Sequence, residues 1–207
     1  MRFNFSEVSS NVNEVERSFK LHCCSKLRDF VFKYEDLLGK EIWDVLDEEI
    51  QQDPGAFLSA INSYASRKGN LPIYLLIDEY DNFTNTILST YGTEYYQKAT
   101  HGEGFVRGFF NVIKAATTGT GSALQRMFIT GVSPVTMDDV TSGFNIGTNI
   151  TTDPWFNDLV GFSEAELREM LTYYKEQGVL MQTVDETIVM MKPNYDNCLL
   201  YTSPSPR

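Results

Sequence analysis

Two adjacent carboxylates, Asp78 and Glu79, follow directly after an apolar run from Ile73 to Ile77. Such a run is typical of a central parallel strand that is covered on both faces. The carboxyl end of such a strand opens onto the crevice where ligands bind in open α/β sheets. Because neighbouring carboxylates repel each other, a bound cation is a natural reason to place them together. The alternative is that both residues merely end the strand and begin a solvated turn.

A second strand is predicted from Leu124 to Thr130, followed by Gly131-Val132-Ser133-Pro134. The first strand resembles the Walker B strand of P-loop proteins that hydrolyse nucleotides. That resemblance implies that Asp78 holds Mg²⁺, mainly through its water shell, and that Glu79 polarises the attacking water. The second strand resembles the sensor 1 strand of AAA-type ATPases. This implies that Thr130, and after it Ser133, contacts the γ-phosphate or the water. The alternative is an ordinary strand that ends in a glycine turn.

Helical patterns precede and separate these two strands. Apolar residues recur at helical spacing between Asn11 and Lys33, and Asp53-Pro54 is a typical helix start with Gly69 as its end. Another helix is predicted to begin at Phe105, with its apolar side reaching Ala116. The order helix, strand, helix, strand predicts an α/β fold with a parallel sheet and flanking helices.

The strand signal fades after Ser142. Ser163-Glu164-Ala165-Glu166 is a capping box, which predicts a helix that runs through Tyr174 and stops at Gly178. We therefore expect a partial ATPase core over residues 1–140 and the start of a small helical lid subdomain over residues 141–197.

Several segments, taken in order, resemble the bacterial AAA-ATPase-like family over about Phe3 to Gln177. The resemblance implies a partial P-loop NTPase sheet, ATP and Mg²⁺ as ligands of the full-length protein, and a PD-(D/E)XK nuclease-like domain further along that protein. The segments that carry it are Leu76 to Asp81, Phe128 to Pro134, Gly143 to Ile146 and Asp153 to Glu166.

The sequence contains no G-x-x-x-x-G-K-[ST] phosphate-binding loop, and the glycine-rich Thr118 to Ser122 has no Lys. In the family, such a loop precedes the strand that matches Phe3 to Ser6. We therefore expect the chain to be an internal fragment that binds ATP weakly or not at all by itself. Residues 198–207 are similar to an in-frame translation of a sequencing adapter, and the alternative is a natural Ser/Pro-rich tail.

Composition narrows the possible partners. The net charge is −11, and nucleic-acid binding depends on Lys and Arg side chains that neutralise phosphates. We therefore do not expect this chain to bind nucleic acid directly. No apolar run approaches the roughly 18 residues that cross a bilayer, and no signal peptide is evident, so we predict a cytoplasmic protein. The three cysteines lack zinc-ligand spacing, and neither histidine has ligand-like neighbours.

Three functions remain open at this point. The first is an ATPase module that couples hydrolysis to a conformational change. The second is an interaction or regulatory module that keeps the fold and does not hydrolyse ATP. The third is a metal-dependent nuclease that uses Asp78, Glu79 and Asp81, although the Lys that such a site needs does not follow them.

Overall fold

The computed structural model describes residues 1–69, 71–119, 121–132, 147–151, 153–156 and 163–194. The chain divides into two compact units, Met1–Gly147 and Thr148–Arg207. In its described part, the first unit holds the sheet and the helices packed on it, and the second holds a pair of helices. Residues 198–207, predicted to be a translated adapter, lie outside the described residues.

The first unit is mainly helical around a small sheet. Its strands are β1 (Arg2–Asn4), β2 (Ile73–Asp78) and β3 (Leu124–Ile129). Its helices are α1 (Val15–Lys33), α2 (Glu35–Leu38), α3 (Ile42–Val45), α4 (Pro54–Arg67), α5 (Asn82–Tyr91), α6 (Thr93–Thr100) and α7 (Phe105–Thr118). Short 3-10 turns cover Phe5–Glu7 and Ile50–Gln52.

The three strands form one sheet in the order β1-β2-β3, and both strand pairs are parallel. Phe3 of β1 is in register with Ile77 of β2, and Ile77 is in register with Ile129 of β3. This confirms the predicted α/β class with a parallel sheet. It also places the carboxyl ends of all three strands at one edge of the sheet.

The described helices cover only one face of this sheet. On that face Ile73, Leu75 and Ile77 are buried, whereas on the other face Tyr74 is 54% exposed and Leu76 is 44% exposed. The prediction that β2 is covered on both faces is therefore wrong for the residues that the structure describes. An apolar run cannot reveal which of its two faces is covered, because both faces carry apolar side chains.

The core under the sheet is built from aromatic rings around Phe19 of α1, which is fully buried. The Phe19 ring lies 5.2 Å from Phe5, 5.2 Å from Phe105 and 5.5 Å from Phe109 between centroids. Phe109 of α7 in turn meets Phe3 of β1 edge to face at 5.6 Å. Each such pair adds about 0.5–1.5 kcal/mol beyond the burial of its area. This cluster fixes β1 and α7 against the covered face of the sheet.

Two helix starts follow local signals in the sequence. Asp53 accepts a hydrogen bond from the Ala56 N–H at 2.7 Å, and Pro54 begins α4, as predicted. Helix α7 begins at Phe105, also as predicted. Helices α5 and α6 were not predicted, because only a few apolar side chains on each are buried. Their threonines bond back to their own helix, as Thr84 does to the Asp81 carbonyl at 2.9 Å.

The second unit contains a 3-10 turn (Pro154–Phe156), α8 (Glu164–Glu176) and α9 (Val184–Asn194) in its described part. Ser163 and Glu166 form the predicted capping box, since the Glu166 N–H donates to the Ser163 hydroxyl and the Ser163 N–H donates to the Glu166 carboxylate. The two helices share a small core of Leu167, Leu171 and Ile188. The lid role expected for residues 141–197 stays a prediction.

Candidate active site

Asp78 is the last residue of β2, and its carboxylate lies at the sheet edge where the strands end. The Thr130 hydroxyl donates to Asp78 Oδ1 at 2.6 Å, and the Arg2 guanidinium donates to Asp78 Oδ2 at 3.1 Å. The hydrogen bond from Thr130 is the main reason that the pKa of Asp78 lies below its usual value, and Arg2 adds to the effect. Asp78 is therefore an ionised, 40% exposed carboxylate that already binds a cationic side chain.

The backbone explains why Thr130 reaches Asp78. The Thr130 N–H donates to the Ile77 carbonyl at 2.8 Å, and the Tyr80 N–H donates to the Thr130 carbonyl at 3.1 Å. These two bonds continue the parallel ladder one residue past the end of β3. They hold Thr130 beside Asp78, so the structure brings together two of the predicted site residues.

Glu79 has a backbone conformation that is rare for a residue with a side chain. Its φ is +54°, in the left-handed region, where L-residues other than Asn and Asp pay a steric cost. Its carboxylate accepts a long hydrogen bond of 3.4 Å from the Asn82 amide. Strained backbone of this kind clusters at functional sites. The structure therefore holds Glu79 in a conformation that costs backbone energy, directly after Asp78.

Asp81 has a different environment from Asp78 and Glu79, because it is fully buried. Both of its carboxylate oxygens accept from the Val132 N–H at 3.1 Å, and Oδ2 also accepts from the Asn85 amide at 2.8 Å. These bonds tie the start of α5 to the segment that follows β3. Asp81 is thus a structural clamp that holds Thr130 in place, a role that our sequence interpretation missed.

Gly131 allows the segment after β3 to pass close to Tyr80 and Asp81. A Cβ atom there would overlap the Tyr80 ring and would lie 2.6 Å from Asp81 Oδ1. Glycine is therefore required by close approach of neighbouring groups and not by an unusual φ. A glycine directly after a predicted strand is a signal for such an approach, and it is visible in the sequence.

The Asp78 carboxylate suits Mg²⁺, which needs few protein ligands, better than it suits a metal ion that the protein must coordinate completely. The described residues contain no group of three or more His, Cys, Asp or Glu side chains that could hold a metal ion. Mg²⁺ commonly binds through one or two carboxylates, keeps several waters and takes the remaining ligands from phosphate. Asp78 fits that pattern, since it is ionised and attracts a cation in this structure.

The structure argues against the metal-dependent nuclease interpretation, because Asp81 is not available as the third metal ligand. Asp81 is buried and bonded to Val132 and Asn85, so its carboxylate is occupied within the fold. Ser133, predicted to contact phosphate or water, lies outside the described residues. Arg2 was also missed in the sequence, because its position beside Asp78 depends on the pairing of strands more than 70 residues apart.

Comparison with known proteins identifies a family. A family model described as a predicted AAA-ATPase matches residues 1–141, about two thirds of the chain. No curated protein matches the chain, and no solved structure matches it. Within the part of the chain that the structure describes, none of the helices has the length and apolar character to span a membrane.

Proposed function

The chain belongs to the AAA-ATPase-like family, and on that premise we propose that it contributes the metal and water side of a site that binds and hydrolyses ATP. The observation that carries the proposal is the pairing of Asp78 with Thr130 at the ends of two adjacent parallel strands. Ligands bind in open α/β sheets at this edge. We also propose that this sheet is part of a P-loop NTPase fold.

Asp78 would hold Mg²⁺, and Thr130 keeps its carboxylate ionised and oriented. When bound, Mg²⁺ neutralises negative charge on the β- and γ-phosphates and so stabilises the transferring group. The hydroxyl of Thr130 already donates to Asp78 Oδ1 at 2.6 Å, so its own oxygen lone pairs are directed away from that bond. Those lone pairs are available to accept a hydrogen bond from a water at the site.

Glu79 would act as the base that orients and polarises the attacking water. Its carboxylate follows Asp78 directly, and Asn82 contacts it only through a hydrogen bond of 3.4 Å. A general base needs such freedom, because it must form a short bond to water in the productive complex. The left-handed φ of Glu79 supports this role, since strain at one residue is consistent with selection for its side chain.

The phosphate grip is the part of the site that these residues do not supply. The 207 residues contain no G-x-x-x-x-G-K-[ST] loop, whose backbone amides and Lys hold phosphates in P-loop proteins. The coupling of hydrolysis to a conformational change, a cytoplasmic location and a nuclease-like domain in the same protein also stay predictions. A module that keeps the fold without hydrolysis is the alternative, and the missing loop is the observation that favours it.

Binding of ATP tests the proposal without requiring turnover. The full-length protein would be titrated with ATP by calorimetry, once with Mg²⁺ and once with EDTA. We expect Mg²⁺ to strengthen binding in the wild type and to have little effect in Asp78→Asn. Glu103→Gln, at an exposed carboxylate in another part of the unit, is the matched control and should behave like the wild type. If Mg²⁺ changed the affinity for ATP equally in the wild type and in Asp78→Asn, the metal role of Asp78 would be contradicted. Absence of ATP binding would favour the interaction module.

A further inference from the structure

We propose that Arg2 is a resident counter-cation of Asp78, which binds the carboxylate while Mg²⁺ is absent and leaves it when Mg²⁺ binds. This inference rests on the metal role of Asp78 in the proposed function. It adds to that function a residue on the neighbouring strand that sets how tightly the site binds Mg²⁺. The inference follows from the contacts of one carboxylate and from the register of two strands.

The Asp78 carboxylate uses both of its oxygens inside the protein. Oδ1 accepts from the Thr130 hydroxyl at 2.6 Å, and Oδ2 accepts from Arg2 Nη2 at 3.1 Å. Thr130 is neutral, so it can remain while a metal binds. The Arg2 guanidinium opposes a metal on the same carboxylate, because their like charges repel, and water reduces this repulsion at the exposed site. Mg²⁺ and Arg2 therefore compete for Asp78.

Strand pairing gives Arg2 this position. In the parallel register of β1 with β2, Arg2 lies opposite Leu76 and Asn4 lies opposite Asp78. Residues in register share a face of the sheet, and side chains alternate along a strand, so Arg2 lies on the same face as Leu76 and Asp78. The long Arg2 side chain then reaches along the sheet to the carboxylate. There it neutralises part of the negative charge that Asp78 and Glu79 bring together.

The displaced guanidinium has another anion nearby. The pKa of Glu7 is lowered mainly by its hydrogen bond from Lys26, and the charge of Arg2 contributes to the same shift. Glu7 accepts from Lys26 at 3.0 Å and is half exposed. Glu7 is therefore a second negative charge whose field Arg2 feels in addition to that of Asp78.

Exposure sets the size of the effect. The Arg2 side chain is 67% exposed and the Asp78 side chain is 40% exposed, so water screens their attraction. Ion pairs of this kind shift an equilibrium by about two- to fivefold. Removal of the Arg2 charge should tighten Mg²⁺ binding by about that factor. The pair thus acts as a modest, reversible competitor and does not block the site.

The experiment is a titration of the full chain with MgCl₂, followed by the backbone amide signals of Asp78, Glu79 and Thr130 in NMR spectra. The variants are Arg2→Gln, Asp78→Asn and Arg126→Gln. Arg126 is an exposed arginine in register with Tyr74 on the same face of the sheet, so its variant controls for the loss of one positive charge. The Arg2 Nε–H signal in the wild type is a second readout that does not depend on any substitution at Arg2.

We expect Arg2→Gln to bind Mg²⁺ about two- to fivefold more tightly than Arg126→Gln. In the wild type, added Mg²⁺ should move the Arg2 Nε–H signal toward its position in Asp78→Asn. Equal affinities in the two arginine variants, or an Arg2 signal that Mg²⁺ does not move, would overturn the inference while Asp78 kept its metal role. Binding of the same affinity in Asp78→Asn as in the wild type would instead show that the metal assignment itself is wrong.

Discussion

The buried Asp81 carboxylate gives a prediction whose size follows from its contacts. Asp81→Ala removes the acceptor for the Val132 N–H and for one N–H of Asn85, both of which lie in partly buried surroundings. A buried donor that loses its partner costs about 1–3 kcal/mol. Two such donors together lower the stability by about 2–6 kcal/mol. The net loss is smaller, because Asp81→Ala also removes the unfavourable burial of a charged carboxylate. We expect a loss of about 2–4 kcal/mol in the free energy of unfolding.

Asp81→Asn separates the hydrogen bonds from the charge. Its amide keeps one oxygen, which can still accept from the Val132 N–H, but its NH₂ group faces the donor of Asn85. The loss should therefore be smaller, about 1–2 kcal/mol. The order of stability that we expect is wild type, then Asn, then Ala.

The assay is urea denaturation followed by tryptophan fluorescence. The chain has two tryptophans, and Trp155 is 92% exposed, so a Trp155→Phe background leaves Trp43 as the reporter of the unit that holds Asp81. Loss of stability should appear as a lower midpoint at an unchanged slope. If Asp81→Ala stays within about 0.5 kcal/mol of the background protein, Asp81 is not the clamp described above.

Two further predictions concern acid sensitivity and backbone strain. Burial lowers the pKa of His22 in the folded protein from the usual 6.5, so the unfolded state binds the proton more readily and stability falls as pH drops below about 6.5. His22→Leu should therefore lose less stability than the wild type as the pH falls. Urea denaturation midpoints at several pH values would measure this, and an unchanged pH profile in the variant would contradict the prediction. Glu79→Gly should stabilise the fold by about 1 kcal/mol by relieving the left-handed φ, whereas Glu79→Ala keeps the strain and serves as the control. Equal stability of the two variants would argue against strain at this residue.

Local signals were sufficient to predict much of the fold. The start of α4 at Asp53-Pro54 and the capping box at Ser163 follow from residue types within a few positions of each other. The two longer strands follow from apolar runs, and their parallel pairing follows from the helices between them. The proximity of Asp78 and Thr130 could be predicted for the same reason, since adjacent parallel strands end at one edge.

The remaining features depend on contacts between distant segments. Arg2 meets Asp78 only through the register of β1 with β2, which no local pattern specifies. The burial of Asp81, in contrast to the partial exposure of Asp78 three positions earlier, depends on the path of the chain after β3. Similarly, the open face of the sheet depends on which side the helices pack. These are tertiary effects that override a residue's local pattern.

If Glu79 activates water for ATP hydrolysis, the rate of turnover should depend on its carboxylate. Phosphate release and retained nucleotide would be compared in the full-length wild type and in Glu79→Gln, with Glu103→Gln as the control. We predict that Glu79→Gln lowers turnover by on the order of a hundredfold or more while ATP stays bound, as expected for loss of a positioned base. Turnover equal to that of the wild type would contradict it.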